Sequence, residues 1–127
     1  MEEAVIDGVY RRSGGHPWVA RTIAGAAWQR RAASDTLAAG DLDRGLEQLD
    51  DDDVLGHFFK TNFWADMTPL EQDALVHVAR GAATAPPAEI RASLRRQGLL
   101  VDGAIPIAAF AEWIVDHQHG QSSAHHR

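Results

Sequence analysis

Ser13-Gly14-Gly15-His16-Pro17-Trp18 is the stretch from which the fold can be read. Two consecutive glycines release the backbone into conformations other residues avoid. Pro17 has its φ already set for the first turn of a helix and gives up only an N–H that such a turn leaves unused. From Trp18 onward the pattern turns helical, with Trp18, Val19, Thr22, Ile23, Ala26 and Ala27 on one face. The stretch therefore reads as a helix stop followed at once by a helix start. A start of this kind presents N–H groups and the positive end of a helix dipole, which suits an anion or the edge of a nucleotide.

Working outward, residues 2–12 read as a helix with Val5, Ile6, Val9 and Tyr10 on one face, and the second helix runs from Pro17 to Ala33 with Trp28 continuing its apolar side. Gly25 marks an expected close approach of two helices, while Gln29, Arg30 and Arg31 read as solvated. Ser34-Asp35-Thr36 interrupts the pattern. Asp41 is the expected N-cap of a third helix that buries Leu42, Leu46 and Leu49. The aspartates 50–53 end that helix and cap the next, which carries Val54, Leu55, Phe58, Phe59 and Trp64. The acidic run reads as a solvated cap and loop, since no cation-loop spacing is present. Phe58, Phe59, Phe63 and Trp64 read as core joining the two halves. A stacking platform for nucleic acid would need flanking cations, and only Lys60 is near.

The second half is more regular. Thr68-Pro69-Leu70-Glu71 is a capping box with proline at the first helical position, opening a helix that buries Leu70, Ala74, Leu75 and Val78. After Gly81 and a turn-rich link, a helix runs from Pro87 or Ala88 to Gln97 with Ile90 and Leu94 inward, and Gly98 stops it. The apolar runs on either side of Asp102-Gly103 are a β-hairpin signal. A last helix holds Phe110, Trp113 and Ile114. Helix, helix, hairpin, helix is the order of a winged helix-turn-helix. The fold class expected is mainly α: a small helical bundle over residues 1–53, a winged helix with one short β-hairpin over 54–116, and a disordered His-rich tail over 117–127.

The 127 residues contain no cysteine, which excludes a disulfide framework and a thiolate zinc site. No apolar run approaches the ~20 residues a membrane span needs. The acidic start Met-Glu-Glu-Ala-Val is unlike a signal peptide, so a cytoplasmic location is expected. The formal net charge is −6, and residues 41–53 alone account for it. The chain as a whole therefore lacks the broad basic field that attracts nucleic acid. Residues 88–97 are the local exception, with Arg91, Arg95 and Arg96 against Glu89. They are the candidate DNA-contacting residues if this helix enters a major groove, although the hairpin after it offers no Lys or Arg to phosphate. His117, His119, His125 and His126 read as adventitious metal binders, and no metal site is expected. His57 and His77 sit on apolar helices as core or boundary residues. No nucleophile–base arrangement can be argued from spacing, so no catalytic residue is assigned.

The Gly-Gly-His-Pro turn resembles the Gly-x-Pro element in the lid subdomain of STAND-type and archaeal-type AAA+ ATPases. The patterns "FW..MTPLEQDALVHVARG" and "LRRQGLLVDGAIPIAAFAEWI" resemble the winged helix that follows the lid in those proteins. Together the two likenesses cover residues 4–115. They imply that Gly14, Gly15, His16 and Pro17 shape one wall of an ATP/ADP site, with the proline against adenine and the His16 imidazole near phosphate. For the family's sensor arginine, Arg11, Arg12 and Arg21 are all candidates. They also imply a P-loop nucleotide-binding domain as partner, in cis or in trans. Gly-Lys of a phosphate-binding loop occurs nowhere in the sequence. Without that loop the chain is not expected to hydrolyse ATP. Nucleotide would be its cofactor only beside a P-loop core, and its expected role is a regulatory, nucleotide-sensing one, the alternative being a DNA-binding winged helix.

Overall fold

The computed structural model describes residues 3–31, 36–82 and 85–118, and among them it is mainly helical: seven α-helices and one π-helical turn. The chain divides into two units, Met1–His57 and Phe58–Arg127. The expected tail beyond residue 118, with His119, His125 and His126, lies outside the described residues, as does the Ser34-Asp35 break.

The first unit contains α1 (Glu3–Ser13), α2 (Pro17–Gln29) and α3 (Ala39–Asp51). Its buried residues are small or aliphatic: Val5, Val19, Ile23, Ala27, Leu37, Leu42 and Leu49. α2 and α3 pack most extensively, and α1 lies against both. The glycine that permits the close approach is Gly45. A Cβ there would sit 2.6 Å from the backbone nitrogen of Ala27. Gly25, expected in that role, is exposed and faces open space. Gly8 has the same function on α1, where a Cβ would meet Leu42 at 2.6 Å. This placement corrects the expected α1 face. Val5, Gly8 and Ser13 point inward, whereas Ile6 and Tyr10 are 53% and 67% exposed. Glycine carries no hydrophobic signal, so a helix pressed close through Gly8 is rotated away from its apparent apolar side.

α2 ends at Gln29, four residues before the expected Ala33. Trp28 is half-exposed, and the Arg31 guanidinium lies 3.8 Å from its ring centroid, an exposed cation–π contact. Asp41 is the third residue of α3 and not its N-cap. Its buried carboxylate accepts the Ala38 N–H at 2.9 Å and pairs with Arg44.

α4 (Val54–Phe59) carries the chain from the first unit into the second and continues as the π-helical turn Lys60–Trp64. The wider turn lets Phe59, Phe63 and Trp64 converge on α7 (Ala108–His117). Phe110 lies 5.1, 5.2 and 6.4 Å from those three rings, and Trp113 meets Trp64 edge-on at 5.7 Å. These rings all belong to the second unit, so the cluster is the core of that unit. Gln72 donates to the Trp64 carbonyl at 2.8 Å, satisfying an acceptor at the end of the turn.

α5 (Pro69–Ala79) begins with the expected capping box: Thr68 Oγ1 accepts the Glu71 N–H at 3.2 Å and Glu71 Oε1 accepts the Thr68 N–H at 2.9 Å. Leu70, expected inside, is 70% exposed; Ala74, Leu75 and Val76 form the buried side. His77 and His57 are exposed and do not enter the core. α6 (Ala88–Arg96) is anchored by Leu94, which is fully buried. Between α6 and α7 the sequence predicts a hairpin. The described residues contain no strand there, only one antiparallel bridge, Val101 with Ala104, closed by bonds of 2.8 and 3.0 Å. Asp102 and Gly103 both have positive φ, as a primed two-residue turn requires. The next hydrogen-bonded pair outward would be Leu99 with Pro106, and the ladder stops there because Pro106 has no N–H to donate and the Leu99 N–H is already given to the Leu94 carbonyl at 2.9 Å.

Candidate functional site

Two places combine the residues singled out by the sequence, one in each unit.

The first is the turn from α1 to α2. Gly14 and Gly15 have φ values of 58° and 80°, so the double glycine is a conformational requirement of the turn. The Gly14 N–H donates to the Tyr10 carbonyl at 2.8 Å, and the Gly15 N–H donates to Ser13 Oγ at 3.1 Å. The His16 N–H donates to the Ser13 carbonyl at 2.9 Å. Ser13, fully buried, is thus the internal brace of the turn. His16 is the N-cap of α2, and its Nδ1 accepts the Val19 N–H at 3.4 Å. That bond leaves the proton of the neutral imidazole on Nε2. Of the N–H groups expected at this helix start, those of Gly14, Gly15, His16 and Val19 are satisfied inside the turn. A ligand at this tip meets instead the exposed Pro17 ring, the imidazole edge and Tyr10, whose Cε2 lies 3.5 Å from where a Gly15 Cβ would be. Tyr10 escaped the sequence reading because it was assigned to the core. The signal that could have found it is its place one turn before the double glycine. Arg11 and Arg21 are exposed, and Arg12 is half-buried.

The second place is on α6. Arg91, Arg95 and Arg96 are all exposed. The structure brings Arg91 and Arg95 together on one wall of an open cleft of about 320 Å³, with Ala92 between them and Leu100, Asp102 and Gly103 opposite. Arg96 does not line it. The helix end explains the geometry. Gly98 (φ 75°) and Leu99 donate to the Arg95 and Leu94 carbonyls at 3.0 and 2.9 Å, turning the chain back along α6. The Val101–Ala104 turn consequently stands beside the arginines, one helical turn apart from each other.

α6 is held in place by Glu71, a buried carboxylate. It accepts hydrogen bonds from Ser93 Oγ and, at 3.0 Å, from Gln97 Nε2, while also closing the α5 capping box. The Ser93 hydroxyl, then the Thr68 N–H, hold the Glu71 carboxyl below the usual carboxylate range, against the opposing effect of desolvation. The sequence marks Glu71 as a cap, but not as a clamp on a second helix, because Ser93 lies twenty-two residues on.

Among the described residues no group of three His, Asp or Glu side chains is placed to hold a metal ion, and no helix is long and apolar enough to cross a membrane. No protein-family model matches this chain, and no curated protein or solved structure matches it either.

Proposed function

We propose that this chain is a regulatory module, a nucleotide-sensing lid followed by a winged helix whose wing is reduced to one bridge, that works with a P-loop nucleotide-binding core and has no hydrolytic activity of its own. The observation that supports the reading most is the proline-led tip of α2. Two left-handed glycines and a buried serine hold it rigid, while Pro17 and Gly15 remain exposed. A rigid apolar edge of that kind suits the face of a purine better than a phosphate, because the N–H groups of Gly14, Gly15, His16 and Val19 are occupied. In the proposed mechanism the core binds the phosphates and this tip closes on the base. ADP and ATP then favour different lid positions through their different contacts.

The test is a nucleotide titration followed through the amide resonances of Gly14, Gly15 and His16. The chain alone should show no saturable shift with ATP or ADP up to about millimolar concentration, a range typical of unspecific contacts. Added to a P-loop core, the same resonances should shift on nucleotide addition. Tight binding by the chain alone would overturn the reading, as would a core that leaves these resonances unmoved.

The second reading is DNA binding through α6, with Arg91, Arg95 and Arg96. One observation favours it: all three guanidiniums are exposed on a helix anchored through Leu94. A gel shift across salt concentrations checks it, since a phosphate-contacting protein loses affinity steeply with salt.

A further inference from the structure

We infer that the cleft between α6 and the Val101–Ala104 turn docks a short acidic segment of a partner protein, with a Glu or Asp carboxylate between Arg91 and Arg95. The inference rests on reading the second unit as a regulatory, protein-facing one. Four features carry it.

The Arg91 and Arg95 guanidiniums make no hydrogen bond or ion pair among the described residues, although Glu89 is on the same helix. Two planar donor forks one turn apart can grip one carboxylate from both sides. Between and behind them the wall is apolar: Ala92 on α6, and Leu100, which is only 3% exposed. The methylenes of a Glu side chain or a neighbouring aliphatic residue fit over that wall.

Size is the third feature. About 320 Å³ accommodates one or two side chains of a peptide.

Asp102 supplies the fourth. Its residue lines the same cleft, on a turn without Lys or Arg. A phosphodiester backbone carries acceptors and no donor, so Asp102 can only repel it. A peptide carries N–H donors beside its carboxylates and can satisfy arginines and aspartate together. The net charge of −6 opposes a long polyanion in the same sense.

The test uses the full chain and records the amide resonances of Ala92, Leu100 and Gly103. Three probes are added separately: the blocked tetrapeptide Glu-Leu-Glu-Glu, its counterpart Gln-Leu-Gln-Gln, and a mixed-sequence duplex of about sixteen base pairs. The Glu peptide should produce saturable shifts at all three residues, with a dissociation constant of order 0.1–1 mM, as befits a few solvent-exposed ion pairs. The Gln peptide should bind at least tenfold more weakly. Arg91→Glu with Arg95→Glu should abolish the shifts; both side chains are exposed, so the near-UV circular dichroism should stay unchanged. Asp102→Asn, a residue that tolerates the left-handed backbone there, should weaken the Glu peptide about twofold, because the charged acceptor for the peptide N–H groups is lost. Absence of saturable shifts with the Glu peptide up to about 5 mM overturns the inference. So does duplex binding at these residues in place of peptide binding, which would instead support the DNA reading. Peptide failure alongside nucleotide-dependent shifts at residues 14–16 would remove this inference and leave the lid reading standing.

Discussion

The two units reach a buried core by opposite means. The first is assembled by removing side chains: Gly45 brings α3 against the Ala26–Ala27 backbone, and Gly8 admits Leu42. The second is assembled by adding them, with Phe59, Phe63, Trp64, Phe110 and Trp113 filling its centre. Close backbone contact tolerates no increase in volume, and an aromatic cluster tolerates no loss. Each unit should therefore fail to the substitution the other would survive.

The largest effect is expected from Phe110→Ala. Phe110 is fully buried and meets four rings, so urea unfolding followed by tryptophan emission should report a loss of about 3–5 kcal/mol. Gly45→Ala comes next. The added methyl meets backbone, which cannot swing aside, and a loss near the upper end of about 1–3 kcal/mol should appear in far-UV circular dichroism. An unchanged midpoint would mean that α2 and α3 are not as close as described.

Glu71→Gln should cost about 1–2 kcal/mol, since the amide cannot accept all the bonds the carboxylate accepts. The pH dependence has a definite sign. The folded pKa lies below the unfolded value, about 4.3. The stabilisation is thus complete above the unfolded pKa and is lost as pH falls through the folded one. Wild type should lose stability in that acid window, and the variant should lose less. The smallest effect is a gain. Gly25→Ala, on an exposed helical position facing open space, should stabilise by roughly 1 kcal/mol. Together with Gly45→Ala it separates a packing glycine from one that only weakens its helix.

The same contrast explains what could be read in advance. The Thr68–Glu71 box was legible because cap and partner are three residues apart, and the core character of Phe58, Phe59, Phe63 and Trp64 because those rings crowd within one stretch of sequence; that they close on Phe110 and Trp113 within one unit was not. Gly8 and Gly45 were not, because the contact that gives them meaning is made with another helix. Asp102-Gly103 correctly announced a two-residue turn. Pro106, which cannot donate to a longer ladder, was in view as well, but the bond from the Leu99 N–H to the Leu94 carbonyl was not, being made where the chain turns off α6. At the candidate sites, the backbone demands of Gly14, Gly15 and Pro17 and the exposure of Arg91, Arg95 and Arg96 followed from local pattern. The internal bonding of the turn donors, and the arrival of Asp102 and Leu100 opposite the arginines, depend on how the chain folds back.

The widened turn at Lys60–Trp64 works as a phase shifter. It holds one residue more than an α-helical turn, and each helical residue advances the azimuth by about 100°. Deleting one residue between Lys60 and Asn62 would restore an ordinary ladder of backbone bonds and leave Phe63 and Trp64 near their present azimuth. Tightening the turn with every residue kept would swing both rings off Phe110, so the extra residue and the wider turn belong together.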